Sequence, residues 1–211
     1  QGANGKLNPE STITREEAFA VLARAFGLDG DASALSDYTD GGSVSPWAKS
    51  AVSALIDSGF VNGANGRLNP RSSITRAEFA AIAARFDDKN TDTSSKFTDI
   101  ASHWAKNEIG IAANKGWING YPDGTFRPNQ YITRAEAMAL INRVLNRLPE
   151  NSSDLLDSMI KWPDNSDASA WYYLAVQEAT NSHAYSDKSK DDKYEKWTTI
   201  RDARDWTELE K

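Results

Sequence analysis

At 211 residues, 39% hydrophobic and 26% charged, the chain is long enough for one folded domain or two small ones with a sizeable core. It contains no cysteine, which excludes a disulfide scaffold, a thiolate metal site and a cysteine nucleophile. A net charge of −6 without a basic block argues against nucleic acid or anionic lipid as partner, and no apolar run is long enough to span a membrane.

The sequence opens on Gln1 with no visible signal peptide, as expected of a fragment or a processed form. A turn, Asn4-Gly5-Lys6-Leu7-Asn8-Pro9, leads to Ile13-Thr14-Arg15-Glu16-Glu17. Beyond Thr14 the apolar residues Ala18, Val21, Leu22 and Ala25 form one stripe, which predicts a helix to about residue 26. Residues 27–44 are rich in Gly, Asp and Ser and read as a surface connection. Pro46-Trp47-Ala48 then opens a helix of a second type, with Trp47, Ala51, Val52 and Leu55 at helical spacing until Gly59.

After Asn62-Gly63 the turn recurs as Asn65-Gly66-Arg67-Leu68-Asn69-Pro70, and the helix start recurs as Ile74-Thr75-Arg76-Ala77-Glu78. Asp87 to Ser95 is a polar link, and Asp87-Asp88-Lys89-Asn90 lacks the spacing and final Glu of a calcium loop. The next unit is the fullest. Phe97-Thr98-Asp99-Ile100 precedes a Trp104 helix that ends at Gly116, followed by Asn119-Gly120-Tyr121-Pro122-Asp123-Gly124-Thr125-Phe126-Arg127-Pro128 and Ile132-Thr133-Arg134-Ala135-Glu136. Trp162-Pro163-Asp164 begins a fourth unit, whose helix of the Trp type carries Trp171, Leu174, Val176 and Ala179. No capped helix follows it. Ser186 to Lys193 reads as a solvated charged loop, whereas Tyr194 to Lys211, with Trp197, Ile200 and Trp206, is too apolar for a free tail and is expected to pack back on the body.

The three threonines of the helix starts stand 61 and then 58 positions apart, so one supersecondary unit is copied along the chain. Threonine as N-cap, glutamate three residues later and isoleucine before the cap are the parts of a capping box and a hydrophobic staple. The arginine is less expected, because a cation at the first helical position opposes the macrodipole. Its recurrence at Arg15, Arg76 and Arg134 has two readings. One is a site for a small anion, above all a carboxylate, held by guanidinium beside the open N–H groups of the helix start. The other is an ion pair to a carboxylate of the neighbouring unit. The first unit lacks its Trp-helix and the fourth its capped helix. A ring would therefore close if the C-terminal Trp-helix, about 170–181, paired with the N-terminal capped helix, 14–26.

Phe97-Thr98-Asp99-Ile100, His103-Trp104-Ala105, Gly116-Trp117-Ile118-Asn119-Gly120-Tyr121-Pro122-Asp123-Gly124-Thr125-Phe126-Arg127-Pro128 and Ile132-Thr133-Arg134-Ala135-Glu136 together resemble the S-layer homology (SLH) repeat of bacterial surface proteins. The resemblance covers residues 1–185, and residues 186–211 resemble a closing segment found in some members. It implies an all-α, pseudo-threefold domain of helix-loop-helix repeats around a central helix bundle, closed by N- and C-terminal half-repeats. The divisions are 1–26, 38–86, 97–148 and 162–185. It further implies non-covalent anchoring of an extracellular surface protein to the cell wall through secondary cell-wall polysaccharide, typically with pyruvylated N-acetylmannosamine units. On that basis Arg15, Arg76 and Arg134 contact the ligand acid. Glu16 beside Arg15 weakens the first groove, and Ala64 gives the second no ring where the third has Tyr121.

Trp47, Trp104 and Trp171 are candidates for stacking on sugar, although their spacing among apolar residues favours a core position. Gly63 and Gly120 either let backbone approach a ligand or serve turns of positive φ. Asp40, Asp99 and Asp164 serve as turn or cap residues, or order the groove as acids do there in the family. No catalytic constellation is present: His103 and His183 lack spaced ligand partners, and no nucleophile elbow, P-loop, dinucleotide fingerprint or recurring carboxylate pair occurs. The chain is therefore expected to be no enzyme, to need no metal or cofactor, and to be monomeric as an isolated domain. The alternative function is a protein–protein or lattice-assembly module.

Overall fold

The computed structural model describes residues 4–86, 91–189 and 193–202. Among the described residues the α-helices are α1 (Arg15–Ala25), α2 (Lys49–Asp57), α3 (Arg76–Arg85), α4 (Lys106–Asn114), α5 (Arg134–Val144) and α6 (Tyr173–Thr180). Two strands follow, β1 (His183–Asp187) and β2 (Glu195–Ile200). The described residues form two compact units. One takes residues 12–132, with α1 to α4, and the other takes 4–11 and 133–202, with α5, α6 and both strands.

In the first unit, α1 packs against α2 and α3 against α4. The lead-ins to the capped helices are tied together through backbone. Ile74 N–H donates to Ile13 O (3.2 Å), Ile132 N–H to Ile74 O (3.0 Å) and Ile13 N–H to Ile132 O (3.4 Å). This is a closed circuit of three hydrogen bonds. The three isoleucines that the sequence offers as staples are all at most 5% exposed, so they cover the circuit with apolar surface. Isolated bridges Thr14–Ser73 and Thr75–Tyr131 flank it.

The repeated turns are hairpins of two lengths. Asn65 (φ 51°) and Gly66 (φ 70°) form a two-residue loop closed by Ala64 N–H to Arg67 O (2.8 Å) and Arg67 N–H to Ala64 O (3.0 Å). In the third unit one extra residue makes a loop of Pro122, Asp123 and Gly124. Tyr121 N–H donates there to Thr125 O (2.8 Å), and Gly124 takes φ 80°. The inserted residue accounts for the change in spacing from 57 before the turn, Gly63 to Gly120, to 58 after it, Thr75 to Thr133.

In the second unit α6 packs against α5, the capped helix before it, just as α2 packs on α1. What joins the ends of the chain is smaller: Asp164 accepts from Leu7 N–H (3.0 Å) and Asn8 N–H (2.6 Å). Leu7 then buries with Ala135 and Val176 beneath Met138, Trp162 and Tyr172.

The expected all-α class does not describe the chain. β1 and β2 form an antiparallel hairpin, with His183 opposite Ile200, Asp187 opposite Glu195 and a bulge between Ala184 and Tyr185. The physical reason lies in residues 194–200. Tyr194, Trp197, Thr198, Thr199 and Ile200 are aromatic or β-branched, and inward Glu195 and Trp197 alternate with outward Lys196 and Thr198. The charged run after Ser186 joins two strands. Its residues 190–192 lie outside the described residues, as do Asp87-Asp88-Lys89-Asn90 and Trp206.

Candidate functional site

All three capped helices carry the full capping box. Thr14, Thr75 and Thr133 accept from the N–H groups of Glu17, Glu78 and Glu136, whose carboxylates reach back to the N–H of each threonine at 2.7–2.9 Å. The first two helical N–H groups are also engaged. Arg15 and Glu16 donate to Ser72 O and Pro70 O (2.8 and 2.9 Å), and Arg76 and Ala77 to Gln130 O and Pro128 O (2.8 and 3.0 Å). Arg134 and Ala135 donate to Ser11 O and Pro9 O (2.9 and 2.8 Å). A helix start is an anion site only while its first N–H groups point at nothing. Here each repeat's start is filled by carbonyls of a turn, so the expected bed of open amide hydrogens is not built.

Arg15 and Arg76 are held as firmly. Arg15 donates from Nε to Leu68 O (2.7 Å) and pairs through Nη1 with Glu78 Oε1 (2.5 Å), with its side chain 13% exposed. At this position the ion-pair reading, to the capping glutamate of the next helix, is the one observed. Arg76 makes the equivalent bond from Nε to Phe126 O (2.9 Å), adds Nη2 to Asn119 O (3.2 Å), and is 7% exposed. Its guanidinium also lies 4.7 Å from the Phe126 ring centre and 5.0 Å from that of Tyr121. Arg134 is half-buried at the first position of α5.

The acids and glycines serve the turns. Asp40 accepts from Leu68 and Asn69 N–H (both 2.8 Å), and Asp99 from Phe126 and Arg127 N–H (2.8 and 2.7 Å), the arrangement Asp164 repeats at Leu7 and Asn8. Slight burial would raise the carboxyls of Asp40 and Asp164, but the two amide bonds outweigh it and hold both below the usual carboxylate range. A Cβ on Gly63 would meet Arg67 O and the Tyr38 ring at 2.5 and 2.7 Å. One on Gly120 would meet the Phe97 ring and Thr125 O at 2.3 and 2.6 Å. Both glycines admit an aromatic ring over the turn.

The tryptophans are displaced from the helices that were counted from them. Trp47 lies in a 3-10 turn before α2 and is half-buried; Trp104 and Trp171 precede α4 and α6 and are 61% and 64% exposed. The preferred core reading fails for these two because the helical stripe begins only after them.

In the third repeat this leaves an aromatic, polar surface. His103 lies beside Trp104, with ring centres 5.5 Å apart, and its Nε2 bonds Asn129 Oδ1 at 3.1 Å. Tyr131 is 54% exposed. The Tyr121 ring sits below the Arg127 guanidinium at 3.8 Å, and its hydroxyl accepts from Gln130 Nε2 at 3.2 Å. Arg127 also pairs with Asp123 at 3.1 Å, and bonds from Thr125 and Arg127 hold that carboxyl down at about 2. Sequence reasoning singled out Trp104 and Tyr121 but missed Arg127, Asn129, Gln130 and Tyr131. Their signal was adjacency to the Gly124 turn, where a loop after a fixed hairpin presents its side chains outward.

Residues 37–80 and 96–138 match the S-layer homology domain family, which are the second and third repeats, aromatic surface included. The chain belongs to that family. Among similar proteins are Cell surface glycoprotein 1 of Acetivibrio thermocellus, 35% identical over 92% of this chain and 9% of its own length, and the Cellulosome-anchoring protein of the same organism, 35% identical over 86% and 41%. Exoglucanase XynX, also from Acetivibrio thermocellus, is 33% identical over 67% of this chain and 14% of its own length. The chain thus spans less than half of each of these relatives. As an S-layer homology chain, its place is the bacterial cell surface, at the wall. No helix among the described residues is long and apolar enough to cross a membrane.

Proposed function

We propose that this S-layer homology chain anchors its parent protein to the cell wall without a covalent bond, by binding an acidic secondary wall polysaccharide through the aromatic surfaces of its repeats. The observation that carries the reading is Trp104, a large ring left 61% exposed beside His103, whose own ring is bonded to Asn129. Sugars present apolar C–H faces ringed by hydroxyls, and an exposed indole with amide and imidazole neighbours suits both. For the acid, the pyruvyl ketal of an N-acetylmannosamine unit meets the guanidinium of Arg127 over Tyr121 and, where it can displace their internal partners, Arg76, Arg15 and Arg134. Asp99, Gly63 and Gly120 act on the ligand through the turns they hold, and Trp47 and Trp171 mark the corresponding places in the other repeats. Several weak surfaces acting on one repeating polymer add up by avidity.

A pull-down on purified wall sacculi tests this. Binding should be lost when mild acid strips pyruvyl groups, and Trp104→Ala should weaken it about tenfold, roughly 1.4 kcal/mol. Retention on sacculi from which the polymer has been extracted would instead identify a protein-binding or lattice module and overturn the reading.

A further inference from the structure

The three repeated turns all hold one backbone position in the left-handed region, and they fill it differently. Asn8 (φ 53°) and Asn69 (φ 50°) take it in the first two turns, and Arg127 (φ 57°) takes it in the third. An aspartate accepts the N–H of each: Asp164 for Asn8, Asp40 for Asn69 and Asp99 for Arg127. Asparagine suits a positive φ because its short side chain can bond locally, whereas an arginine there meets the steric clash of any ordinary L-residue. Two of the turns show that asparagine serves the fold at this place. The arginine is therefore kept against a backbone strain, and strain of this kind collects where a side chain must be aimed at a ligand.

What the backbone aims is a guanidinium with an open edge. Arg127 Nη2 pairs with Asp123 Oδ2 at 3.1 Å, its Cζ stands 3.8 Å from the Tyr121 ring centre, and the side chain is 45% exposed. Among the described residues no bond leaves its Nε or Nη1, so most of the donor fork is open. Arg15 and Arg76 give theirs to partners within the fold. The platform below Arg127 is itself fixed: the Tyr121 hydroxyl accepts from Gln130 Nε2 (3.2 Å), and the Tyr121 N–H donates to Thr125 O (2.8 Å). Asp123 is fixed as well. The hydroxyl and N–H of Thr125, more than Arg127, hold its carboxyl down at about 2, so it stays an anion whatever the guanidinium does.

A planar cation backed by a ring, tethered at one corner and open along an edge, suits a carboxylate, which takes two parallel N–H bonds from such a fork. The first two turns do not build this receptor. Both have asparagine for Arg127, and in the second Ala64 stands at the place of Tyr121. Their own cations, Lys6 and Arg67, stand at the place of Thr125 and bear on Asp164 and Asp40 instead.

We propose that Arg127 is the residue by which the chain selects acidic over neutral sugar, and that this selectivity belongs to the third repeat. The inference rests on the wall-anchoring reading and narrows it to one guanidinium. Asn129, two residues on, bonds His103 beside Trp104, which ties the acid-gripping turn to the exposed indole.

The test measures binding of the intact chain to wall sacculi before and after mild acid strips the pyruvyl groups. Arg127→Asn should bind untreated sacculi about tenfold more weakly than wild type, and acid treatment should weaken it little further. Because Asn8 and Asn69 already hold this backbone conformation, the variant should melt no lower than wild type. Asp123→Asn keeps an oxygen for Thr125 and removes a like charge from beside the ligand acid, so it should bind untreated sacculi at least as tightly as wild type. Equal losses in the two variants, or a marked fall in the melting temperature of Arg127→Asn, would make the pair a device of the turn and overturn the proposal. An Arg127→Asn chain that still distinguishes treated from untreated walls as wild type does would overturn it too. A wild type that holds both kinds of wall alike is a separate failure: it removes the acidic polymer from the functional reading, and this inference with it.

Discussion

Two regions of the unit with α1 to α4 use the same kinds of side chain to opposite ends. At the helix starts, arginine, threonine and glutamate are consumed by the fold: Arg76 gives its donors to Phe126 O and Asn119 O, and the first amides go to the carbonyls of a turn. In the third repeat Trp104 beside His103, and Tyr131, are left exposed, and Arg127 lies over Tyr121 at the surface turn. A recurring motif therefore does not mark the binding surface merely by recurring. The helix start recurs because each is filled by the turn of another repeat, that of the second repeat at α1 and that of the third at α3; the surface proposed for binding is made of other residues.

The comparison breaks most readily at the isoleucine circuit. Ile74 is fully buried, and its N–H and C=O both serve in the ring of bonds. Ile74→Ala should lower stability by about 2–5 kcal/mol through lost burial and the cavity left behind. Chemical denaturation read by tryptophan fluorescence checks it. A loss below about 1 kcal/mol would mean that the circuit is not the anchor of the helix starts.

Arg76→Ala is expected to come next, at about 1–3 kcal/mol, because it removes the partner of the Phe126 carbonyl in a buried setting. The variant separates fold from ligand. If Arg76 were chiefly a ligand group, thermal stability would hold and only sacculus binding would fall; the geometry predicts that both fall together.

Much of this was legible beforehand, and the failures have causes. The capping boxes, turns and repeat register follow from local chemistry, in which Thr, Glu, Asn-Gly and Pro act over a few residues. The tryptophans differ from expectation because Trp104 keeps helical spacing with the residues that follow it, yet α4 starts only at Lys106. The filled helix starts were invisible because the occupants come from far along the chain, as Gln130 O does at Arg76 N–H. The hairpin was hidden for another reason. It lies beyond the helical repeat, and a short strand holding both Glu195 and Trp197 inward gives no clean alternation of apolar and polar residues.

The smallest expected change in stability is at Trp104, and it sharpens the comparison most. A tryptophan in a packed core loses about 3–5 kcal/mol on truncation to alanine, whereas an exposed one away from special features changes stability by no more than about 0.5 kcal/mol. At 61% exposure, bonded neighbours included, Trp104 belongs to the second class. Trp104→Ala should therefore melt with the wild type while its wall binding weakens about tenfold. Melting far below the wild type would return the ring to the core and with it dissolve the distinction between the helix starts, which the fold consumes, and the surface it leaves open.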